Sequence, residues 1–245
     1  PHANPPFMAD AAALSGTVDP SGTVDPSGTA DAAGSDPASS TPGSTATYVD
    51  HADWDRLLRT YVDADGMVAG RWLQSEDRDA LYAYLTALAL ADPSAWPEKQ
   101  QLAFWINAYN AMIVAAVLEG ESAESLIGRG KIFKLWKFPV AGKRRTLDEV
   151  EHEILRKQFE EPRIHFAIVC ASLSCPPLRA EAFVAERLDA QLDDQGRRFV
   201  NDPNLHLRYM HASHLRLSKI FDWFRGDFER NTTLVQTIAP FVTPP

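Results

Sequence analysis

The stretch "EKQQLAFWINAYNAMIVAAVLEG", from Glu98 to Gly120, decides the fold. It is apolar almost all the way round a helix, which is typical of a helix enclosed by the rest of a domain. Gly120 is a residue type that commonly follows the last turn of a helix, because glycine adopts the left-handed backbone without strain. The sequence therefore predicts a central helix that ends at Gly120, with the other elements packed around it.

Helical spacing of apolar residues continues on both sides of this stretch. The segments "WDRLLRTYV" (54–62) and "SEDRDALYAYLTALAL" (75–90) each predict an amphipathic helix before it. After it, "KLWKFPVAGKRRTL" (134–147) has the alternation and the Ala-Gly-Lys turn of a short hairpin. Thr146 and Glu149 in "TLDEVEHEILR" form a capping-box pattern, so a helix is expected to begin there.

The run "RIHFAIVCASLSCPPLR", from Arg163 to Arg179, is the best candidate for a buried strand, which we predict over Ile164–Cys170. Its two prolines end the strand, and an amphipathic helix is expected over 181–200. The segment 205–224 predicts a second hairpin followed by a short helix. The fold class expected is α+β: a helix-rich single domain around a small sheet, with short hairpins and a buried strand.

Composition separates the chain into two parts. The first fifty residues contain six Asp, no Lys or Arg, and a small repeat, "SGTVDPSGTVDPSGTADA". Such a segment cannot bury enough apolar surface to offset the entropy of ordering, so residues 1–50 are expected to be a disordered linker or tail. Residues 51–245 then form the folded domain, with 27 acidic and 24 basic residues. This near-balance gives no indication of a nucleic-acid partner.

The acidic spacer also bears on location. A chain that begins without methionine and with such a spacer is expected of an exported protein, periplasmic or extracellular; a trimmed cytoplasmic protein is the alternative. No apolar run is long enough to span a bilayer, so no transmembrane segment is predicted.

Of the two cysteines, Cys170 ends the predicted strand and Cys175 follows it, and three interpretations are open. They can form a disulfide, which suits an exported protein. One of them can be a nucleophile at a sharp turn, where backbone N–H groups can hold an oxyanion. A metal site is the third interpretation, but two thiolates without a nearby pair of histidines fall short of the usual four ligands, so no metal ligand is predicted.

A reactive thiol would need a base. In a regular strand His165 and Cys170 point to opposite faces and lie about 16 Å apart, so this pair is not expected to form a dyad. His165 is then a core histidine with a bonded ring or an orienting residue. His152, on the helix that begins at Thr146, is the best candidate base; a solvated position between Glu151 and Glu153 is the alternative.

Asn107 and Asn110 stand out in the apolar central helix. A helix of this composition is expected to bury both amides, and buried amides must be hydrogen-bonded. They can orient a catalytic imidazole or bind a substrate. Alternatively, they cap neighbouring backbone.

Four motifs in register, "LAFWINAYNAMIV", "LDEVEHEILR", "RIHFAIVCASLSCPPLRAEAF" and "LSKIFDWFRGDF", resemble the family known as domain of unknown function 547. The resemblance covers about Trp54 to Phe228. It implies an exported or envelope protein among bacterial relatives and an interaction protein among plant relatives, with no settled reaction, cofactor or partner. The family's motif residues match here at Asn107, Asn110, His152, His165, Cys170 and Cys175.

Three functions follow from these residues. The first is a thiol-dependent hydrolase or acyl-transfer enzyme, with Cys170 or Cys175 as nucleophile, His152 as base, and Asn107 or Asn110 orienting the site. The second is a non-catalytic binding or scaffolding domain with a Cys170–Cys175 disulfide. The third is a metal-dependent enzyme. The sequence predicts no cofactor, and the partner expected is a small molecule, a peptide or a protein.

Overall fold

The described residues of the computed structural model are 48–120, 128, 130–170, 175–203 and 217–243. Three helices make up the first part: α1 (Ala52–Tyr61), α2 (Asp77–Leu90) and α3 (Glu98–Leu118). They confirm the three helices that the apolar spacing predicts.

Helix α3 is the central element. Every residue from Leu102 to Ala116 is buried, which agrees with an apolar surface on all sides. It is also the one helix of the described residues long and apolar enough to cross a bilayer by length and composition. However, 89% of that apolar window is buried inside the fold, as in the core helix of a folded domain.

A short antiparallel hairpin forms the sheet of the described residues: β1 (Phe138–Val140) and β2 (Lys143–Arg145). Ala141 and Gly142 both have positive φ, 48° and 69°, as the two central residues of a type I′ turn require. Their N–H groups donate to the carbonyls of Leu88 and Ala89, which attaches the turn to the end of α2. The predicted hairpin and the α+β class are confirmed.

Short helices form most of the remaining described structure. Thr146 and Glu149 make the predicted capping box, in which Glu149 N–H donates to Thr146 Oγ1 at 3.1 Å and Thr146 N–H donates to Glu149 Oε2 at 2.7 Å. The helices are α4 (Leu147–Glu149), which continues as a π-helical segment (Val150–Leu155) and α5 (Arg156–Gln158), then α6 (Ile164–Ala167), α7 (Leu188–Val200), α8 (Ile220–Trp223), α9 (Arg225–Phe228) and α10 (Leu234–Ile238). Between them lie short turns of 3-10 or π helix: Gly70–Gln74, Pro93–Ala95, Lys131–Leu135, Ala185–Arg187 and Ala239–Phe241.

The predicted strand over Ile164–Cys170 is wrong. Its first four residues form helix α6, and the chain becomes extended only at Ile168, where φ is −87° and ψ is 139°. Burial was predicted correctly, since all residues from Ile164 to Val169 are buried. A run that is buried on every side has no alternation, so its pattern does not distinguish a strand from a helix.

Phe166, in the middle of α6, explains why this run is buried. Its ring lies between 5.5 and 6.0 Å from four other phenylalanine rings, centroid to centroid. Those rings belong to helices α7, α8 and α9 and to the 3-10 turn that follows α10: Phe199, Phe221, Phe228 and Phe241. Helix α6 therefore anchors the second half of the domain.

Two further predictions concern the segments 181–200 and 205–224. The amphipathic helix expected over 181–200 begins later, at Leu188, because residues 181–184 are irregular and a 3-10 turn precedes it. Most of the second predicted hairpin lies outside the described residues, as does the predicted tail apart from residues 48–50. The short helix expected after that hairpin is α8.

Candidate functional site

Both asparagines of α3 are buried and both bind backbone. Asn107 Nδ2 donates to the carbonyl of Phe183 at 2.7 Å, and Asn107 Oδ1 accepts from the N–H of the same residue at 3.0 Å. This exchange of two hydrogen bonds with one residue is the pattern of an antiparallel strand pair. The side chain of Asn107 therefore takes the place of a neighbouring strand.

Asn110 also binds backbone, where the chain leaves α6. Its Nδ2 donates to the carbonyl of Ala167 at 2.9 Å, and its Oδ1 accepts from the N–H of Val169 at 3.1 Å. These bonds satisfy backbone groups that a sheet would otherwise pair, and so the segment can be extended without a strand beside it. The interpretation in which both amides cap neighbouring backbone describes these contacts; their roles in orienting an imidazole or binding a substrate stay predictions.

Side-chain amides also bind the backbone that follows the cysteines. Gln191 Nε2 donates to the carbonyl of Ala182, and its Oε1 accepts from Val184 N–H. Gln195 Nε2 donates to the carbonyl of Pro177. Side chains of α3 and α7 thus fix the backbone before Cys170 and after Cys175.

Cys170 and Cys175 form a disulfide, with Cα atoms 6.0 Å apart. In this state neither sulfur is a thiolate, which is the form that attacks an electrophile or binds a metal. Assigning Cys170 or Cys175 as a nucleophile therefore stays a prediction for a reduced form of the protein.

His165 lies in α6 with 2% of its surface exposed. Its Nε2 is 2.8 Å from Asp227 Oδ2, and its ring stacks on Phe224 at a centroid distance of 4.0 Å. Because α6 is helical, the separation of about 16 Å expected between His165 and Cys170 no longer follows. The ring of His165 is directed to a carboxylate, as expected for a core histidine with a bonded ring.

His152 lies in the π-helical segment and its side chain is 36% exposed. Arg156 Nη1 donates to its Nδ1 at 2.8 Å, because a guanidinium has no acceptor, and Asp148 Oδ1 lies 3.6 Å from its Nε2. Within the described part of the chain, no hydrogen bond joins this ring to Cys170 or Cys175. Its role as a base stays a prediction.

Arg156 connects the two histidines through Asp227. Besides its bond to His152, it donates from Nε to Asp227 Oδ2 at 2.5 Å and from Nη2 to Oδ1 at 3.2 Å. Its guanidinium lies 4.9 Å from the centre of the Phe224 ring. We call the four residues His152, Arg156, His165 and Asp227 the histidine–aspartate cluster.

Within this cluster Asp227 and Arg156 form an ion pair, and burial disfavours the charged form of His165. Burial acts to raise the pKa of Asp227, but hydrogen bonds from His165 and Arg156 outweigh it and hold that pKa well below its usual range. Burial lowers the pKa of His165, against the opposing effects of Asp227 and Glu151. At neutral pH, Asp227 is therefore charged, with Arg156 as its counter-ion.

A second buried pair lies on the other side of the π-helical segment. Tyr109 Oη donates to Glu151 Oε2 at 3.1 Å, and both residues are buried. Burial and the negative charge of Glu151 raise the pKa of Tyr109 well above its usual value. This bond fixes the segment that carries His152 to α3.

Space beside the cluster is small. A pocket borders Arg156 and Asp227 and has room for about one water molecule. Its other lining residues are Phe159, Glu160, Glu161, Pro162, Ile164 and Arg230. The described residues also contain no group of three or more His, Cys, Asp or Glu side chains placed to hold a metal ion.

A family model described as "Protein of unknown function, DUF547" matches residues 93–200. Residues 93–200 of the chain belong to the DUF547 family. Searches of curated proteins and of solved structures give no match. The family description names no reaction, so membership by itself assigns no activity to this DUF547 domain.

The matched range contains all six residues selected from the sequence: Asn107, Asn110, His152, His165, Cys170 and Cys175. Asp227, the partner of His165, lies outside it and was missed in the sequence analysis. The signal was available, because Asp227 is an acid among aromatic residues in "LSKIFDWFRGDF", one of the motifs of the family resemblance. Arg156 was missed as well, although it follows His152 by one helical turn.

Proposed function

We propose that this DUF547 domain is a non-catalytic binding or scaffolding domain in which the Cys170–Cys175 disulfide is structural. One observation carries the proposal: the six side chains expected to form an active site are all bonded within the chain. Two asparagines hold backbone, two cysteines hold each other, and two histidines bind members of an ion pair. A catalytic site keeps some of these groups available to a substrate.

The small size of the pocket that borders Arg156 and Asp227 among the described residues supports the same proposal. Pockets for small molecules generally enclose several hundred Å³, whereas the pocket next to Arg156 and Asp227 holds about one water molecule. On this proposal the partner binds to an outer surface of the domain. A protein, a peptide or another surface-bound ligand is then favoured over a small molecule taken into the core.

The proposal includes a location. A structural disulfide is stable in an oxidising compartment, and it therefore supports a periplasmic or extracellular protein, as the acidic spacer suggests. Location in the cytoplasm is the alternative, and there the same two cysteines would be reduced.

The competing function is a thiol-dependent hydrolase or acyl-transfer enzyme, with Cys170 or Cys175 as nucleophile and His152 as base. It requires reduction of the disulfide and release of His152 Nδ1 from Arg156, since this nitrogen must be free to accept a proton. A metal-dependent enzyme is the further alternative, for which no described cluster of ligands provides support.

Thiol counting on the purified full-length chain separates these functions. Without reductant, native and denatured protein should both contain no free thiol. After reduction, iodoacetamide should label the cysteines at rates that rise only near the usual thiol pKa. The decisive contrary result is one cysteine that alkylates rapidly well below pH 8, with the rate lost in His152→Ala; it would establish the thiol enzyme instead.

A further inference from the structure

The segment from Lys131 to Arg145 is the most basic part of the domain. It contains six cations and no carboxylate: Lys131, Lys134, Lys137, Lys143, Arg144 and Arg145. The chain as a whole has a formal charge of −9, so this positive charge is opposite in sign to the rest. We call Lys131–Leu135, Trp136, Lys137 and the β1–β2 hairpin together the basic hairpin.

The cations of the basic hairpin largely face solvent. Lys134, Lys137, Lys143 and Arg144 are exposed. The ammonium groups of Lys137 and Lys143 make no hydrogen bond or ion pair with any residue that the structure describes. Lys134 Nζ is 4.0 Å from Asp148 Oδ1, which is the outer limit of an ion pair.

Arg145 adds a partly buried cation. Its guanidinium lies 5.7 Å from the centre of the Trp105 ring, and its Nε is buried without a hydrogen-bond partner among the described residues. On the outer side, Arg144 Nη2 donates to the carbonyl of Lys137 and joins the two sides of the hairpin. Strand pairing and this hydrogen bond therefore hold the backbone that carries the cations.

Large apolar side chains lie between these cations. Leu135, between Lys134 and Lys137, is 74% exposed, and the ammonium of Lys131 lies 5.9 Å from the centre of the half-buried Trp136 ring. At the other end, Leu90 is 70% exposed and follows Ala89, whose carbonyl binds the hairpin turn. A single exposed leucine has no special meaning, but leucine and tryptophan among lysines are typical of membrane interfaces.

We propose that the basic hairpin is a docking surface for a bilayer rich in anionic phospholipids. Lipid phosphates would bind the cations, and Leu135 would enter the boundary between headgroups and acyl chains. Lysine side chains suit this arrangement, because their apolar stems lie along the interface while the ammonium reaches the headgroups. An acidic polypeptide could bind the same charges, but it would not require an exposed leucine between them. This proposal goes beyond the binding function above and does not depend on the state of the cysteines.

Vesicle co-sedimentation of the full chain tests the proposal. Vesicles of phosphatidylcholine alone should leave the protein in solution, whereas an equal mixture with phosphatidylglycerol should sediment it, less so at higher salt. Each cation near such a surface contributes about fivefold in affinity, so Lys134→Gln, Lys137→Gln and Lys143→Gln together should weaken binding about a hundredfold.

A matched control makes the same change in net charge elsewhere. The exposed lysines Lys99, Lys157 and Lys219, changed together to Gln, should leave vesicle binding within about twofold of the parent, because only charges close to the bilayer contribute. Equal weakening by both triple variants would overturn the proposal, since net charge rather than the hairpin would then govern binding. Sedimentation that is equally weak with both kinds of vesicle would overturn it as well.

Leu135→Ser distinguishes a bilayer from an acidic polypeptide. It should weaken binding to anionic vesicles several-fold and leave retention on immobilised polyglutamate unchanged. An unchanged affinity for vesicles would refute the insertion of Leu135. Binding to polyglutamate without binding to vesicles would assign the basic hairpin to an acidic polypeptide and overturn the membrane proposal.

Discussion

His165 and Asp227 are 62 residues apart in the chain, yet Nε2 of the buried His165 lies 2.8 Å from Oδ2 of the partly buried Asp227, in a contact between α6 and α9. Arg156 approaches the same carboxylate with two hydrogen bonds. One carboxylate of α9 therefore joins α6 and α5, and α5 directly continues the π-helical segment. Because these elements carry two of the motif histidines, Asp227 holds together the part of the domain that the family motifs describe.

Replacing Asp227 by Asn should lower the free energy of unfolding by about 3 kcal/mol, because Arg156 loses its counter-ion in a largely buried position. Urea unfolding at neutral pH measures the change. Asp222→Asn is the matched control: its side chain is 68% exposed and 3.7 Å from Lys219, so its effect should stay below about 0.5 kcal/mol. Equal losses in the two variants would show that Asp227 is no more than a surface carboxylate.

Acid should destabilise the domain through the partly buried His51 and the buried His165. Burial lowers the pKa of His51 from 6.5 to about 4, and its Nδ1 is 2.7 Å from Tyr84 Oη. Between these values the unfolded chain binds a proton that the folded chain does not, so stability is full above pH 6.5 and is lost as the pH falls towards 4. The loss due to His51 should reach about 3 kcal/mol.

Urea unfolding across this pH range, compared between the parent and His51→Asn, isolates the contribution of His51. Asparagine keeps an acceptor for the Tyr84 hydroxyl but does not titrate, so the variant should show a shallower dependence on pH. Burial lowers the pKa of His165 as well, and some acid sensitivity should remain. Parallel pH profiles for both proteins would refute the assignment to His51.

The disulfide should contribute about 2 kcal/mol, the value expected for closing a loop between cysteines separated by 5 positions. Cys170→Ala combined with Cys175→Ala should lower the free energy of unfolding by that amount, with a corresponding fall in the denaturation midpoint, and remove the effect of reductant. The parent protein in reductant should match the double variant. A parent whose midpoint does not change on reduction would contradict a structural role for this bond.

Tight packing at Gly196 gives a prediction with an internal control. A Cβ on this residue of α7 would lie 2.8 Å from Phe241 Cδ1 and 3.1 Å from Phe166 Cδ2. Gly196→Ala should therefore cost about 1–3 kcal/mol in thermal or urea unfolding, despite the better helix propensity of alanine. Gly226→Ala, with no atom within 4 Å of the added Cβ, should be neutral or stabilising by up to about 1 kcal/mol. Two stabilised variants would mean that the aromatic core has room for a methyl group.

The sequence predicts secondary structure correctly where it depends on residues that are close together in the chain. The central helix, the capping box at Thr146 and the hairpin turn at Ala141 depend on residues close together in the chain, and all three are present. The strand predicted at Ile164–Ala167 is wrong, because a segment buried on every side has the same apolar pattern in a helix and in a strand.

The candidate site was predictable only in part, for a different reason. The sequence indicated that Asn107 and Asn110 are buried and bonded, but their partners, Phe183 and Ala167, lie 76 and 57 residues away. No periodicity connects a side-chain amide to a backbone group at such a distance. The pairing of His165 with Asp227 is hidden for the same reason.

The amide of the buried Asn107 should stabilise the fold more than that of the half-buried Asn201, which also binds backbone through both its Nδ2 and its Oδ1. Asn107→Leu leaves the N–H and the carbonyl of Phe183 buried without partners, at a cost of about 3 kcal/mol in urea unfolding. Asn201 makes the equivalent pair of bonds near the surface, from Nδ2 to the carbonyl of Phe241 at 2.8 Å and from Thr243 N–H to Oδ1 at 2.9 Å.

Asn201→Leu should therefore cost only about 1 kcal/mol, because water replaces the amide there. If Asn107→Leu is as mild as Asn201→Leu, water must reach Phe183, and the amide of Asn107 must then be accessible to a ligand. That outcome would support the role in substrate binding that the sequence left open, and it would favour the thiol enzyme over the binding domain. A loss near 3 kcal/mol, with Asn201→Leu near 1, would assign Asn107 to the framework that replaces a missing strand.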